Sequence, residues 1–442
     1  MSHSCLSSKW LLQTFYHGIL LMCISSNSKS STVLAFANET DRLALVDFKN
    51  RITQDPLQIM SSWNDTIHFC NWLGVTCSPS CKRVTVLDLK AKKLVGFITP
   101  SIRNLTYLTG INLQNNSFYG EIPQEVGCLL RLQYLNLTWN SFGGKIPTNL
   151  SYCTQLEALD VAENEFIGRI PDHLSSLSKL VFLSLGQYNL VGTIPAWIGN
   201  FSSLNVLSLG PNNFQGNTPS ELGRLSGLGF FQVSENNIAD VGLTLPNLKN
   251  FWGGSNLFTG PIPLSFSNSS HLRSLDLGQN GLTGTVPQNL ASLQSLEVLS
   301  FDGNSLGKGI DGDLNFLSYL ANCTFLKGLG LHDNYFGGVL PNSIANLSTQ
   351  LRKLTLGTNM IHGGIPIGIG NLVNLQQLGL EYNYLGGTLP DVTGNLQKLN
   401  IDCYLCIHSG NSSGSINDTC GPKRHMVDFV ARDNGSDESL QV

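Results

Sequence analysis

Charged residues are scarce in this sequence. Asp, Glu, Lys and Arg make up 13% of the 442 residues, about half of the roughly 25% found in an ordinary soluble domain. The 26 basic and 30 acidic residues leave a net charge of −4, which excludes a strongly basic nucleic-acid binder. No run of 18 or more apolar residues occurs, which excludes a polytopic membrane protein. Apolar residues are nevertheless plentiful, so disorder along most of the chain is also excluded.

The N-terminus is predicted to be a secretory signal. Residues 1–37 carry Lys9, a mostly apolar stretch over residues 10–24 and a serine-rich span, and they end in Ala-Phe-Ala, a small-x-small sequence that signal peptidase accepts. The apolar stretch is too short to span a bilayer. We therefore predict cleavage before Asn38 and entry into the secretory pathway. The alternative is an uncleaved anchor or a disordered start.

Potential glycosylation sites agree with secretion. The tripeptide Asn-x-Ser/Thr only permits N-glycosylation, so a single one carries little weight. Besides Asn136 and three sites in the C-terminal tail (Asn411, Asn417 and Asn434), the glycosylation candidates are Asn38, Asn64, Asn104, Asn115, Asn149, Asn200, Asn268, Asn322 and Asn346. Thirteen such tripeptides behind a signal sequence favour the secretory route.

Internal repetition dominates the sequence. Leucine-like residues open thirteen repeats, ten of them 24 residues long, of the form L-x-x-L-x-L-x-x-N-x-F-x-G-x-I-P. The repeats begin at Val84, Leu108, Leu132, Leu156, Leu180, Leu204, Leu228, Leu248, Leu272, Leu296, Leu326, Leu351 and Leu375. One repeat cannot bury its own leucines, so stacked repeats must share one long core. With strands about 4.8 Å apart, the stack would extend for roughly 60 Å.

Each part of the repeat has a physical role. The L-x-L alternation predicts a short strand with one buried face. The Asn turns the chain out of the strand, and its buried amide must bond backbone groups of its own turn and a neighbouring one. Glycine then permits a tight bend, and proline fixes φ. Lys92 and Tyr188 replace the Asn in two repeats, and the ladder elsewhere comprises Asn116, Asn140, Asn164, Asn212, Asn236, Asn256, Asn280, Asn304, Asn334, Asn359 and Asn383.

These features predict an α/β solenoid with a parallel β-sheet on its concave face. The L-x-G-x-I-P form resembles the plant extracellular leucine-rich repeat, which implies a right-handed superhelix. Residues 38–83 resemble the N-terminal cap of plant receptor-like proteins and kinases, through an amphipathic helix with Asp41 as its predicted N-cap and the run C-x-W-x-G-V-x-C. The resemblance implies a disulfide between Cys70 and Cys77. Capping is needed because the first repeat would otherwise expose leucines and a strand edge.

Two inserts narrow the resemblance. The tenth repeat has 30 residues, including the segment 313–324, and the next repeat contains the segment 344–351. Both are similar to inserts of the plant immune-receptor kinases that include the bacterial flagellin and elongation-factor receptors. The resemblance covers residues 1–398. It implies an ectodomain in the apoplast or at the outer face of the plasma membrane, with a leucine-rich repeat kinase as co-receptor.

The C-terminal region departs from that family. Full-length members continue through more repeats and a transmembrane helix into a cytoplasmic serine/threonine kinase, but no V-A-I-K, H-R-D or D-F-G motif occurs here. We therefore predict no enzymatic activity. The preferred explanation is a truncated gene, splice form or gene model, and the alternative is a natural secreted receptor-like protein. The predicted organisation is a signal peptide over 1–37, a cap over 38–83, thirteen repeats over 84–398 and a polar tail over 399–442.

Several roles are possible for the remaining cysteines. Cys81 is an alternative partner for the cap disulfide. Cys128, Cys153 and Cys323 are predicted to be small buried hydrophobic residues on the helical or loop side of the repeats. A zinc set can be written from Cys403, Cys406, Cys420 and His425. A secreted tail more often forms disulfides, so we predict neither a metal nor a cofactor.

Exposed strand positions on the concave face are predicted to bind a ligand. Aromatic residues at such positions on consecutive repeats are unusual and suit a peptide or protein ligand. The candidates are Trp139, Phe182, Phe230, Trp252, Asp276, His332 and Tyr382. The alternative is that several of them pack against neighbouring side chains or glycans. A glycan on Asn136 would obstruct the surface near Trp139 and shift the site toward residues 230–382.

The sequence thus favours a binding module over an enzyme. We predict the ectodomain of a receptor-like kinase that recognises a peptide or protein signal in defence, with no nucleic-acid partner and with membrane attachment only through an anchor absent from this sequence. The alternatives are a secreted inhibitor of a microbial cell-wall hydrolase, or a truncated decoy or pseudogene product. An enzyme would need a general acid and a general base, and the candidate pairs are Asp160 with Glu163 and His332 with Asp333. Both pairs lie on open strands where water is not excluded.

Overall fold

The computed structural model of the protein describes residues 30–186, 189–242 and 244–399, together with the backbone of 405–406 and 420–421. These residues divide into two compact units, the first extending to Gln215 and the second beginning at Gly216. The predicted signal peptide lies outside the described residues except for its last eight, which form the start of a helix. Most of the predicted tail also lies outside them, including the side chains of the zinc alternative.

The first unit is organised around a long sheet. Its strands are Val75–Cys77, Val84–Asp88, Gly110–Asn112, Tyr134–Asn136, Ala158–Asp160, Phe182–Ser184 and Val206–Ser208. The first two strands are antiparallel, and each later strand pairs in parallel with its neighbour. Equivalent leucines lie side by side, as in Leu135, Leu159 and Leu183. The predicted parallel sheet is therefore confirmed.

Shorter strands and 3-10 helices complete the first unit. The shorter strands are Ile52–Gln54, Val95–Gly96, Ser117–Glu121, Ser141–Gly144, Glu165–Phe166 and Val191–Gly192, with Asn213–Asn217 at the division between the units. The helices are the α-helix Ser30–Asn50 and the 3-10 helices Ile59–Ser62, Phe69–Asn71, Pro100–Asn104, Gln124–Cys128, Thr148–Tyr152, Asp172–Ser176 and Ala196–Asn200. Among the described residues, no helix is both long and apolar enough to cross a membrane.

The second unit repeats the arrangement. Its long sheet is parallel throughout and consists of Phe230–Gln232, Asn250–Trp252, Ser274–Asp276, Val298–Ser300, Gly328–Gly330, Lys353–Thr355 and Gln377–Gly379. The shorter strands are Asn237–Asp240, Thr259–Gly260, Gly281–Gly284, Ser305–Leu306, Gly337–Val339, Met360–Gly363, Tyr384–Leu385, Leu405–Cys406 and Cys420–Gly421. The helices are the α-helix Leu317–Leu320 and the 3-10 helices Ser220–Arg224, Leu264–Asn268, Gln288–Ser292, Asn342–Asn346, Ile367–Asn371 and Asp391–Asn395.

Proline fixes where the 3-10 helices begin. Ten of these helices are preceded by a proline at the N-cap, such as Pro147 with φ of −70° and ψ of 130°. The ring holds the extended φ that the chain needs before it turns into the helix. Each of these ten helices has only five residues, in keeping with the short runs in which 3-10 helices occur.

The core is a column of side chains between the sheet and the helices. In the first unit, Phe118, Phe142 and Phe166 are fully buried at the N-x-F position of successive repeats. The rings of Phe118 and Phe142 stack with their centroids 6.0 Å apart. Phe48 of the helix Ser30–Asn50 extends the column, with its ring centroid 5.9 Å from that of Phe118. The helix therefore closes the open end of the repeats.

The cap differs from its prediction at Asp41. This residue lies inside the helix Ser30–Asn50 and is fully buried, so its prediction as the N-cap is wrong. Its carboxylate accepts hydrogen bonds from Nε and Nη2 of Arg83, at 2.9 and 2.7 Å, and from the backbone N–H of Val84 at 2.8 Å. The buried charge is compensated by a bidentate bond from Arg83, the residue directly before the first repeat, and by the N–H of Val84, which opens that repeat.

The cysteines divide into bonded and free. The disulfide between Cys70 and Cys77 is confirmed, with a Cα–Cα distance of 5.4 Å. Cys81 is free and half-buried, while Cys153 and Cys323 are free and buried. Cys128 is half-exposed and disulfide-bonded, so its prediction as a small buried hydrophobic residue is wrong. Its position at the C-terminal end of the 3-10 helix Gln124–Cys128 leaves the side chain half-buried rather than enclosed in the core.

Asp47 gives the cap a predicted sensitivity to acid. The hydroxyl groups of Ser101 and Thr99 donate hydrogen bonds to its carboxylate and lower its pKa. Because the folded pKa lies below the unfolded value of about 3.9, this contribution to stability is complete at neutral pH and is lost as pH falls through the folded pKa. We expect Asp47→Asn to lower the melting temperature at pH 7, and the difference from wild type to shrink below about pH 4. Melting curves between pH 7 and pH 2.5 check this. A difference that stays constant over that range would contradict it, and Ser101→Ala should reproduce part of the effect.

Candidate ligand-binding face

The sheet face of each unit is formed by strand residues that alternate with the buried leucines. Leu275 is fully buried, whereas Ser274 and Asp276 on either side of it are half-buried and point away from the core. The alternation follows from the two-residue period of a strand. In the pattern L-x-x-L-x-L-x-x-N, the third, fifth, seventh and eighth positions of each repeat therefore supply this face.

The ladder Asn residues hold the ends of the strands. Oδ1 of Asn164 accepts from the backbone N–H of Phe142 at 2.9 Å. Its Nδ2 donates to the carbonyls of Leu137, Val161 and Ala162 at 2.9 to 3.1 Å. Equivalent bonds occur at Asn116, Asn140, Asn212, Asn256, Asn280, Asn304, Asn334, Asn359 and Asn383. Each amide thus ties its own turn to that of the preceding repeat.

Trp139 and Tyr382 lie in the turns that end their strands. Each directly precedes a ladder Asn and has a left-handed backbone, with φ of 57° and 52°. Such a backbone is uncommon outside glycine, but it recurs at this position in Asn115, Glu163, Glu235, Ser255, Gln279, Asp333 and Thr358. The two aromatic side chains are 58% and 59% exposed. They therefore offer open surface at the edge of the sheet face.

The third repeat ties its polar side chains together. Asn136 is buried, its Nδ2 donates to the hydroxyl of Tyr134 at 2.9 Å, and its Oδ1 accepts from the backbone of Thr138. A glycan on Nδ2 would require the bond to Tyr134 to break. Phe182 is half-buried rather than exposed. Apart from Trp139, the sheet face of the first unit therefore offers less free aromatic surface than the sequence predicts.

Phe230 and Trp252 form an ordered aromatic pair in the second unit. Their rings meet edge to face, with centroids 4.9 Å apart and an interplanar angle of 78°. Nε1 of Trp252 donates to Oγ of Ser274 at 3.2 Å, and 40% of the residue remains exposed. A tryptophan held in one orientation with much of its surface open has the properties of an interface hot spot.

Carboxylates follow the aromatic pair along the same face. Oδ1 of Asp302 accepts from the backbone N–H of His332 at 2.7 Å and from the hydroxyl of Thr355 at 3.2 Å. Nδ1 of His332 lies 3.5 Å from Oε1 of Glu381. Among the bonds described, the side-chain carboxylate of Asp276 accepts one, from the backbone N–H of Gly278. The predicted residues Asp276 and His332 therefore belong to an acidic part of the sheet face.

Glycines at sheet-face positions make these contacts possible. A Cβ at Gly330 would lie 2.4 Å from Oδ2 of Asp302, and one at Gly357 would lie 2.3 Å from Oε1 of Glu381. Asp302 thus reaches Thr355 two repeats away across Gly330, and His332 reaches Glu381 across Gly357. Neither glycine is among the site residues that the sequence predicts. The available signal was glycine at exposed strand positions, where β-branched and aromatic residues are favoured.

The imagined acid and base pairs are not supported. His332 faces Glu381, while Asp333 lies exposed in the following turn. Oδ1 of Asp160 is occupied by hydrogen bonds from Thr138 and Ala162. Within the part of the chain that the structure describes, no group of three or more His, Cys, Asp or Glu residues could hold a metal ion.

The buried thiols are not reactive. Burial raises the pKa of the Cys153 thiol to about 12 and that of Cys323 to about 11. Both residues are therefore protonated at neutral pH, and the thiolate needed for nucleophilic chemistry is absent. Cys153 instead bonds through Sγ to the carbonyl of Val126 at 3.4 Å, which is the behaviour of a packing residue.

The glycosylation candidates lie mainly away from the sheet faces. Asn104, Asn200, Asn268 and Asn346 each end a 3-10 helix and are exposed. Asn322 and Asn64 are exposed, Asn149 and Asn38 are half-buried, and Asn115 lies in an exposed turn. Glycans on the helical side would leave the sheet faces open to a ligand.

Comparisons with known proteins agree with this architecture. The leucine-rich repeat N-terminal domain matches residues 38–78, a leucine-rich repeat region matches 75–243, and a further leucine-rich repeat matches 271–293. The chain is 54% identical, over 81% of its length, to the LRR receptor-like serine/threonine-protein kinase EFR of Arabidopsis thaliana. It spans 37% of that relative.

Solved structures of plant receptors have the same fold. The LRR ectodomain of the Arabidopsis thaliana membrane receptor kinase GASSHO1/SCHENGEN3, in complex with CASPARIAN STRIP INTEGRITY FACTOR 2, aligns with a TM-score of 0.67 and 29% identity, covering 81% of this chain and 49% of that one. The plant peptide hormone receptor RGFR1, in complex with RGF2, aligns with a TM-score of 0.57 and 26% identity, covering 74% and 59%. The chain therefore belongs to the leucine-rich repeat proteins and carries the repeat domain found in plant LRR receptor-like kinases.

Proposed function

We propose that this chain recognises a peptide or protein signal outside the plant cell, in defence signalling. The observation that carries the proposal is the Phe230–Trp252 pair. Trp252 is held by the ring of Phe230 and by its bond to Ser274, yet 40% of it remains exposed on the sheet face. Similarity to a receptor kinase over 81% of the chain supports it, as does similarity to receptors solved in complex with their partners. The ligand contacts the sheet face and no reaction takes place there.

The organisation of the chain follows from this role. Residues 1–37 direct the protein into the secretory pathway, 38–83 cap the solenoid, 84–398 form the thirteen recognition repeats, and 399–442 lie beyond the repeats. The protein acts in the apoplast or at the outer face of the plasma membrane. A bound ligand would then be presented to a co-receptor leucine-rich repeat kinase, and any phosphorylation belongs to the kinase domains of such partners or of longer relatives.

The test of the sheet face is Trp252→Ala. Random twelve-residue peptides displayed on phage are selected on the purified wild-type chain, and the dissociation constants of the selected peptides are measured. We expect Trp252→Ala to weaken binding at least tenfold, because truncation of a central aromatic hot spot costs about 2 kcal/mol or more. Tyr319→Ala is the matched control, because Tyr319 is a similarly exposed aromatic residue on the helix Leu317–Leu320. Peptides that bind both variants equally would contradict the proposal.

Glycan occupancy at Asn136 decides whether the surface near Trp139 is open to a ligand. If mass spectrometry of the secreted protein finds a glycan there, contacts in the first unit near Trp139 are obstructed. We expect the dependence on Trp252 to persist, because Trp252 lies five repeats further along the chain.

A further inference from the structure

On the basis of the proposed function, we infer that the sheet face of the second unit binds a peptide segment with two basic side chains. One is seated at Asp302 and the other at Glu381, and both follow an apolar residue at Trp252. The aromatic pair alone does not determine this ligand chemistry.

The charges on this face are unbalanced. From the repeat at Leu228 onward, the sheet-face positions carry five carboxylates, on Glu235, Asp276, Asp302, Asp333 and Glu381, against the single lysine Lys353. Among the described residues, none of these carboxylates forms an ion pair with lysine or arginine, and the one ionisable partner is His332. Ion pairs do form elsewhere in this unit, as between Glu297 and Lys327. A cationic ligand would complement this face.

Glu381 has unused bonding capacity. Its Oε2 is buried without a hydrogen-bond partner, and its Oε1 has only the 3.5 Å contact with His332. Buried polar atoms normally find partners, and a carboxylate can accept two parallel bonds from a guanidinium. Rotation about the last torsion of the side chain exchanges the two oxygens. An arginine or lysine above the face could therefore supply the missing donor.

Glycines lie directly against both carboxylates. Gly330, Gly357 and Gly379 occupy consecutive repeats between Asp302 and Glu381. Glycine in a strand often marks the place where a ligand or another backbone comes close. Asp302 is fixed by its bonds from His332 and Thr355, so its carboxylate is already oriented. These glycines give each carboxylate room to extend over the neighbouring repeat, Asp302 over Gly330 and Glu381 over Gly357.

Strand spacing sets the order of ligand residues. Trp252 and Asp302 lie two strands apart, and Asp302 and Glu381 lie three strands apart. At about 4.8 Å per strand these separations are about 10 and about 14 Å, which an extended peptide covers in about three and about four residues. The expected ligand pattern is therefore apolar-x-x-basic-x-x-x-basic, with Arg favoured over Lys at the last position because of bidentate geometry.

The experiment selects the same random twelve-residue phage library on three forms of the purified chain. These are the wild type, Asp302→Asn with Glu381→Gln, and a control that removes the same charge elsewhere, Asp391→Asn with Glu165→Gln. Asn and Gln keep an acceptor oxygen, so the bonds from His332 and Thr355 can persist. Equal melting temperatures of the three forms show that folding is intact. A fourth form, Asp302→Lys with Glu381→Lys, tests charge reversal.

We expect the wild type and the control to enrich peptides with basic residues about four apart. The Asn and Gln form should bind these peptides at least tenfold more weakly, and the lysine form should enrich acidic peptides instead. Selection of Trp252-dependent peptides without basic residues would overturn this inference and leave the proposed function standing. If no selected peptide depends on Trp252 or on the carboxylates, both are overturned.

Discussion

Replacing Asp41 with alanine is expected to detach the N-terminal cap from the first repeat and to lower its stability by about 3–5 kcal/mol. Asp41 is fully buried and its partner Arg83 nearly so. Removing one member leaves the guanidinium buried without its carboxylate, and it also removes the acceptor for the N–H of Val84. Arg83 would retain only its bond to Thr106 at 3.2 Å and its position over the ring of Tyr107.

The effect of Asp41→Ala should be local. Stability in stacked repeats is a sum of nearest-neighbour terms, so hydrogen exchange should accelerate first in the helix Ser30–Asn50 and the strand Val84–Asp88. Glu39→Ala is the matched control, because Glu39 pairs with Arg42 on the same helix at the surface and such pairs contribute little. Equal losses of protection in the two variants would refute the role assigned to the buried pair. Asp41→Asn separates charge from shape, because Asn keeps one acceptor but no charge.

The architecture could be predicted because it depends on local, periodic information. The L-x-L alternation specifies which side of each strand is buried, and a fixed repeat length places equivalent leucines side by side, as at Leu135 and Leu159. Proline and glycine at constant offsets determine where the chain turns. The disulfide between Cys70 and Cys77 followed from resemblance, since spacing alone also allowed Cys81.

The misassigned residues depend on contacts that no local pattern encodes. The sequence predicts Asp41 to be a helix N-cap because it is a polar residue just before a run of periodic apolar residues. Its actual partner, Arg83, is 42 residues away in the sequence. Phe182 and Trp252 both stand at exposed strand positions, yet only Trp252 is open enough to serve as an anchor. The difference depends on the side chains of neighbouring repeats.

In the acidic part of the candidate site, too, the positions of residues could be predicted from the sequence but their contacts could not. Asp276, His332 and Glu381 could be placed on one face from the register alone. The contact between His332 and Glu381 could not be predicted in this way. It depends on Gly357, on the repeat between them, which has no side chain to keep the two apart. A scan for glycine at outward-facing strand positions would have found both this glycine and Gly330.

Loss of one member of the Asn ladder is expected to have the second large effect on stability. Asn164→Ala should destabilise the repeats around it by about 3 kcal/mol or more, because it leaves several buried backbone groups without partners at about 1–3 kcal/mol each. The groups are the N–H of Phe142 and the carbonyls of Leu137 and Val161, together with that of Ala162. The left-handed backbone at Glu163 is held by the same turn, so its strain is then unopposed.

Two further variants show whether the amide donors cause this loss. Asn247→Ala removes an exposed asparagine with one bond, to the carbonyl of Ser226 at 2.7 Å, and should cost under about 0.5 kcal/mol. Asn164→Asp has nearly the same shape but presents a carboxylate to three carbonyls, so it should be at least as damaging as alanine at neutral pH. Urea unfolding measures the stability of all three variants, and native-state hydrogen exchange over residues 134–166 locates the loss. If Asn164→Asp were tolerated, shape rather than donation would hold the repeats together.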